Sequence, residues 1–144
     1  MNPYDERYRQ RMDAFQPGLW ARPEAVPALE PTTRDAVLRY LLELACQAQN
    51  IRNITLGRTA LLALPRAWLL RNIEHYAEPL LHLEDEWEYR RLAELYEQLD
   101  DDLIRRLVVR GLATPSEAIQ EVARELQDQL ECKHGSSRSS PTAF

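Results

Sequence analysis

The sequence predicts an all-α fold: a compact bundle or short stack of five to six antiparallel helices, with a Pro-rich N-terminal arm and a disordered C-terminal tail. Three observations predict it. Only four of the 144 residues are glycine. Leu, Ala, Glu, Arg and Gln, which lose least on entering a helix, dominate the middle of the chain. Apolar residues also recur there at three- and four-residue spacing. At this length folding removes roughly two-thirds of the unfolded chain's surface from water, so one core needs no metal or disulfide staple.

Residues 3–15 read as a short amphipathic helix, with Asn2 as cap, Pro3 in the first turn, and Tyr4, Tyr8, Met12 and Phe15 along one stripe. Pro17 and Gly18 stop it. The following GLWARPEAVPALEP holds three prolines and reads as an extended arm, laid on the surface or mobile, that carries Trp20. Residues 1–31 therefore form an N-terminal attachment segment, ahead of a helical domain over 32–132.

The helix over 32–49 opens with Thr32 and Asp35 in capping-box-like spacing, and Leu38 and Leu42 widen its apolar face. NIRNITLG has β-branched alternation but is too short and isolated for a sheet, so it reads as a loop into a helix near Leu56. Residues 65–83 form the next helical pattern. Pro79 kinks or ends it, because proline lacks an amide proton and its ring collides with the carbonyl four residues back. In HLEDEWEYRRLAELYEQLDDD, Asp85 and Glu88 have capping-box spacing, and Tyr89, Leu92, Leu95, Tyr96 and Leu99 make a buried stripe. Asp100, Asp101 and Asp102 start the following helix, with Gly111 at its C′ position and Leu112 against Leu107. Thr114 and Pro115 begin the last helix, which buries Ile119, Val122, Leu126 and Leu130. Residues 133–144 are Ser-rich and aperiodic, the pattern of a flexible tail.

Composition narrows the function. Cys46 and Cys132 lack any CxxC or Cys/His zinc spacing, and the N-terminus has no apolar core of a secretory signal, so a soluble protein of a reducing cytoplasm is expected. The most apolar run, TALLALPRAWLL, is broken by Pro65 and Arg66, which argues against a membrane partner. Net charge is −5, with ten basic against sixteen acidic residues in 59–144, which disfavours nucleic acid. Seventeen of the eighteen cations are Arg, as a GC-rich bacterial genome would give.

Aligning Trp68 with Trp87 sets Arg71 on Arg90, Ile73 on Leu92 and Leu80 on Leu99, a 19-residue internal echo. Residues 65–130, especially DDDLIRRLVVRGLATPSEAIQEVARELQ, resemble HEAT-type α-helical repeat segments. That resemblance implies a stacked-helix surface that binds macromolecules, and no catalytic residues.

No Gly-x-Ser-x-Gly elbow or phosphate-cradling loop is present. His75, Glu78 and His82 fall within about 60° of one another on an uninterrupted helix, the spacing of a metal site, with Glu84, Asp85 and Glu86 as added ligands. They lie about 140° from the helix's apolar stripe, and Pro79 interrupts their register. Trp87 also projects about 140° from its helix's buried stripe, either under a neighbouring element or into an interface. The expected function is a non-enzymatic protein-protein interaction module (adaptor, assembly or regulatory subunit) that needs no cofactor. It would bind a protein partner or a second copy through Tyr4, Tyr8, Met12, Phe15, Trp20 and Trp87, with Arg90 and Arg91 at the rim. The alternatives are a metal-binding bundle on His75, Glu78 and His82, and an acidic regulator that uses Glu84–Glu88 and Asp100–Asp102 to compete for a basic surface. Arg90, Arg91, Arg105, Arg106 and Arg110 read as a mixed-charge solvated face.

Overall fold

The structure is a computed structural model of the full chain and describes residues 2–80, 82 and 85–139. Among the described residues the fold is all-α, with seven α-helices, three short 3-10 segments and no strand, slightly more helices than expected. The chain forms two compact units, Met1–Leu81 and His82–Phe144. No helix among the described residues is long and apolar enough to cross a membrane.

In the first unit, α1 spans Pro3–Phe15, and Asn2 Oδ1 caps it by accepting the Tyr4 N–H at 2.8 Å. Gly18 turns the chain away with φ of 79°, a left-handed conformation that glycine adopts without a Cβ penalty. The segment expected to be extended instead coils into 3-10 turns at Leu19–Ala21 and Pro23–Ala28. Proline's fixed φ suits a 3-10 turn as well as an extended chain. The apolar residues between the prolines decide the outcome, since Leu19, Val26 and Leu29 are all buried.

Helix α2 (Pro31–Ala45) is capped two residues earlier than Thr32 would place it. Glu30 Oε2 accepts the Thr33 N–H at 3.1 Å, with Pro31 in the first turn. Its wide apolar face is buried at Val37, Leu38, Leu41 and Leu42. Helix α3 (Ile51–Leu62) corrects the expectation of a loop to Leu56. Asn50 Oδ1 accepts the Asn53 N–H at 3.1 Å and starts the helix at once. Gly57 then lies on the backbone of α2, where a Cβ would sit 2.6 Å from both Ala45 N and Leu41 O. Such packing outweighs the modest helix propensity of Ile and Thr. Helix α4 (Arg66–Ala77) ends just before Pro79, and Glu78–Leu80 form a 3-10 turn. Tyr76 fastens α4 to α2: its hydroxyl donates to Asp35 Oδ1 at 2.7 Å and accepts from Arg34 Nε at 3.1 Å.

The second unit is built on α5 (Glu86–Glu97), α6 (Asp101–Leu112) and α7 (Glu117–Ser139). Asp85 Oδ1 caps α5 as expected, accepting the N–H groups of Trp87 and Glu88 at 3.0 and 3.2 Å. Glu88 reaches three residues further back than a capping box would and accepts the His82 N–H at 3.2 Å. Asp100 caps α6 through the Asp102 N–H. Gly111 is not a C′ residue but lies within α6, because it allows Tyr89 to pack directly on the helix. Thr114 likewise does not cap α7: it is buried, its hydroxyl donates to Gly111 O at 3.2 Å, and Ser116 Oγ accepts the Ile119 N–H instead. Leu92, Leu95, Leu103, Ile104, Ile119 and Val122 are buried in this unit. Helix α7 runs past Cys132 to Ser139. Lys133 Nζ lies 3.1 Å and His134 Nε2 3.3 Å from Asp101 Oδ2, which fastens this turn to the start of α6. The end of the expected tail, residues 140–144, lies outside the described residues.

Candidate functional site

The aromatic stripe of α1 is folded onto its own unit. Met12 is fully buried and Tyr8 nearly so, with the Tyr8 ring stacked 6.4 Å from Tyr40 and Phe15 tilted 6.0 Å from the same ring. Burial, with the Tyr40 hydroxyl nearby, pushes the Tyr8 pKa up to about 12. Asp5 pairs with Arg52 of α3, with Oδ2 2.8 Å from Nη2, and the guanidinium holds that carboxyl below the usual range. Trp20 is half-buried beneath the Arg9 guanidinium, 3.9 Å from its ring centroid. Tyr4 remains exposed at 39%. Tyr40, the surface that receives the stripe, was visible in the sequence only as one more apolar position of α2.

Trp87 is different. It sits in the first turn of α5 and is 51% exposed, although tryptophan has much apolar area to hide. Arg90 and Arg91, three and four residues on, each place a guanidinium carbon 5.8 Å from the Trp87 ring centroid. Each arginine is itself positioned: Arg90 Nε lies 2.8 Å from Glu86 Oε2, and Arg91 Nη1 lies 3.1 Å from Glu94 Oε1. Contacts to two fixed arginines narrow the conformations of an exposed ring and lower the entropy a binding partner must remove.

The same end of this unit carries further apolar surface. Tyr89, two residues after Trp87, donates its hydroxyl to Leu107 O at 2.7 Å and packs on Gly111. The last turns of α6 are thereby set beside the first turns of α5. On those turns Val109 is 68% and Leu112 38% exposed. Sequence reading missed both, having placed Leu112 against Leu107; their off-stripe spacing on α6 was the available signal.

The three candidate metal ligands are exposed side chains with other neighbours. The His75 ring meets Tyr76 edge-on at 5.3 Å, and His82 Nδ1 lies 3.2 Å from both Glu88 oxygens. Among the described residues no three His, Cys, Asp or Glu side chains gather as a metal-holding group. Glu84 lies outside the described residues. The acidic run at 100–102 serves local structure: Asp100 caps α6, Asp102 meets Arg105 at 2.6 Å, and Asp101 meets Lys133 and His134. The Lys133 hydrogen bond, helped by its charge and by His134, holds the Asp101 carboxyl below its ordinary range. The Arg105–Asp102, Arg90–Glu86 and Arg91–Glu94 pairs fit the mixed-charge face expected of these helices.

No protein-family model, curated protein or solved structure matches this chain. The HEAT-like stretch at 65–130 extends across the division between the two units.

Proposed function

We propose that the chain is a non-enzymatic protein-protein interaction module, an adaptor, assembly or regulatory subunit that engages a protein partner through Trp87. The half-exposed Trp87, with Arg90 and Arg91 against its ring, carries this reading, since Trp and Arg dominate interface hot spots and fixed aromatic anchors bind at low entropic cost. The Arg90–Glu86 and Arg91–Glu94 pairs supply a polar rim. Tyr4 and the half-buried Phe15 and Trp20 of the N-terminal segment are secondary contacts. Tyr8 and Met12 act by holding α1 in place.

The test is capture from native lysate with tagged full-length chain, comparing the natural sequence with Trp87→Ala and Tyr4→Ala. Point changes are preferable to removing residues 1–31, which would strip Met12, Leu19 and Val26 from the core. A partner retained by the natural chain and by Tyr4→Ala but lost from Trp87→Ala supports the reading. Identical species on all three overturn it.

A further inference from the structure

Two adjoining open cavities, of about 210 and 230 Å³, share Glu97, Leu126 and Gln129 in their walls and so form one furrow along α5 and α7. Its floor is apolar, made by Ala93, Val122, Leu126, Leu130 and the edge of Ile104. Its walls carry four carboxylates, Glu94, Glu97, Asp101 and Glu125, against two cations, Arg90 and Lys133; Lys133 pairs with Asp101, Arg90 lies 4.0 Å from Glu125, and Arg91 outside the lining holds Glu94, so Glu97 supplies the remaining excess of acid. Residues 82–144 as a whole hold fourteen acids against eight Lys and Arg.

These features select an occupant. The furrow is long and open rather than enclosed, so it suits a row of side chains better than a compact ligand. From Val122 to Lys133 it follows α7 for about 16 Å, or roughly three helical turns. An apolar floor between acidic walls complements a helix that is apolar on one face and basic along both flanks. Arg90 lines one end of the furrow and also lies against Trp87, so a segment in the furrow would end at the tryptophan.

We infer that the α5–α7 furrow is the docking site for a short amphipathic helix of the partner, about three turns long, with Lys or Arg flanking its apolar face. This rests on the Trp87 reading and gives the partner its chemistry: an amphipathic basic helix, rather than an acidic peptide or nucleic acid.

The probe is a phage-displayed library of 14-residue helical peptides with leucines fixed along one face and Lys, Glu or Gln at each flanking position, selected on the full-length chain. The expected result is enrichment of Lys at the flanks, with the selected peptides binding about tenfold or more weaker to the double variant Glu97→Lys/Glu125→Lys, the scale of several reversed rim charges. Both positions are exposed, so the variant keeps its fold, which circular dichroism checks. No enrichment over a blank surface, enrichment of Glu, or equal binding to the double variant overturns the inference. Lysate capture separates the two readings. A native partner lost from Trp87→Ala but kept by the double variant removes the furrow alone, and a partner kept by both variants removes the furrow and the Trp87 reading together.

Discussion

Gly111 of α6 lies directly against the phenol ring of Tyr89. A Cβ built on the glycine would collide with the Tyr89 hydroxyl, approach Cζ to 2.7 Å and meet the Ala123 Cβ at 2.9 Å. The hydroxyl beside it donates to Leu107 O, one turn back along α6. One missing methyl thus lets a tyrosine bind helix backbone in the interior and brings α5, α6 and α7 together. Gly111→Ala should destabilise the chain by about 1–3 kcal/mol, because overpacking outweighs the roughly 1 kcal/mol of helix propensity that alanine adds. In a double-mutant cycle with Tyr89→Phe, the penalty for Gly111→Ala should shrink but persist, since the ring remains after its hydroxyl is gone. Denaturant midpoints of the four variants check this, and a penalty unchanged by Tyr89→Phe would contradict it.

Gly57 presents a harsher case. Its imagined Cβ meets backbone atoms of α2, Ala45 N and Leu41 O, and helix backbone cannot move aside as a side chain can. Gly57→Ala should cost more than Gly111→Ala. Gly18→Ala should cost least, about 1 kcal/mol, because only its left-handed φ is strained and nothing lies within 4 Å. The order Gly57, Gly111, Gly18 in thermal midpoints is the expected outcome.

Alkaline pH should loosen both units. Tyr8 and Tyr89 are neutral in the fold, with hydroxyl pKa values raised by burial above the ordinary 10. The unfolded chain therefore releases these protons first, and the stability they contribute is complete below pH 10 and lost as pH rises from 10 through about 12. Stability measured from pH 9 to 12 should fall steeply, and Tyr8→Phe should flatten that fall. At the acid end the sign reverses. Asp101, depressed by its hydrogen bond to Lys133, contributes stability that is present above its ordinary value of 3.8 and lost as pH falls through its lower folded value. Asp101→Asn should reduce the acid sensitivity correspondingly.

Helix existence was legible in the sequence because period, caps and proline are local signals. Asn2, Asp85 and Asp100 cap where their spacing places them, and Pro79 ends α4. The misreadings arose where tertiary contact decided the outcome. NIRNITLG looks like strand or loop until Gly57 is seen on the α2 backbone, and the Pro-rich segment looks extended until Leu19 and Val26 are seen buried. Gly111 has the sequence context of a helix end, yet its glycine is required by Tyr89, 22 positions away, which no local pattern encodes. For the candidate site, the off-stripe position of Trp87 was legible and its exposure was not. The furrow depends on how α5 and α7 lie together, which the pattern of either helix alone does not specify.

Trp87→Ala should leave stability within about 0.5 kcal/mol of the natural chain, since half of the ring is already in water. Equal thermal midpoints would establish that any loss of association comes from the surface and not from unfolding.

The most direct measurement is site-specific photo-crosslinking in the living source cell, with p-benzoylphenylalanine at position 87 and, as a control, at exposed Arg39 of α2. If Trp87 anchors a partner, irradiation at position 87 yields one dominant adduct to a protein or to a second copy of the chain, and position 39 yields none. Uncrosslinked monomer alone at position 87, or the same diffuse products at both positions, would contradict an interface there.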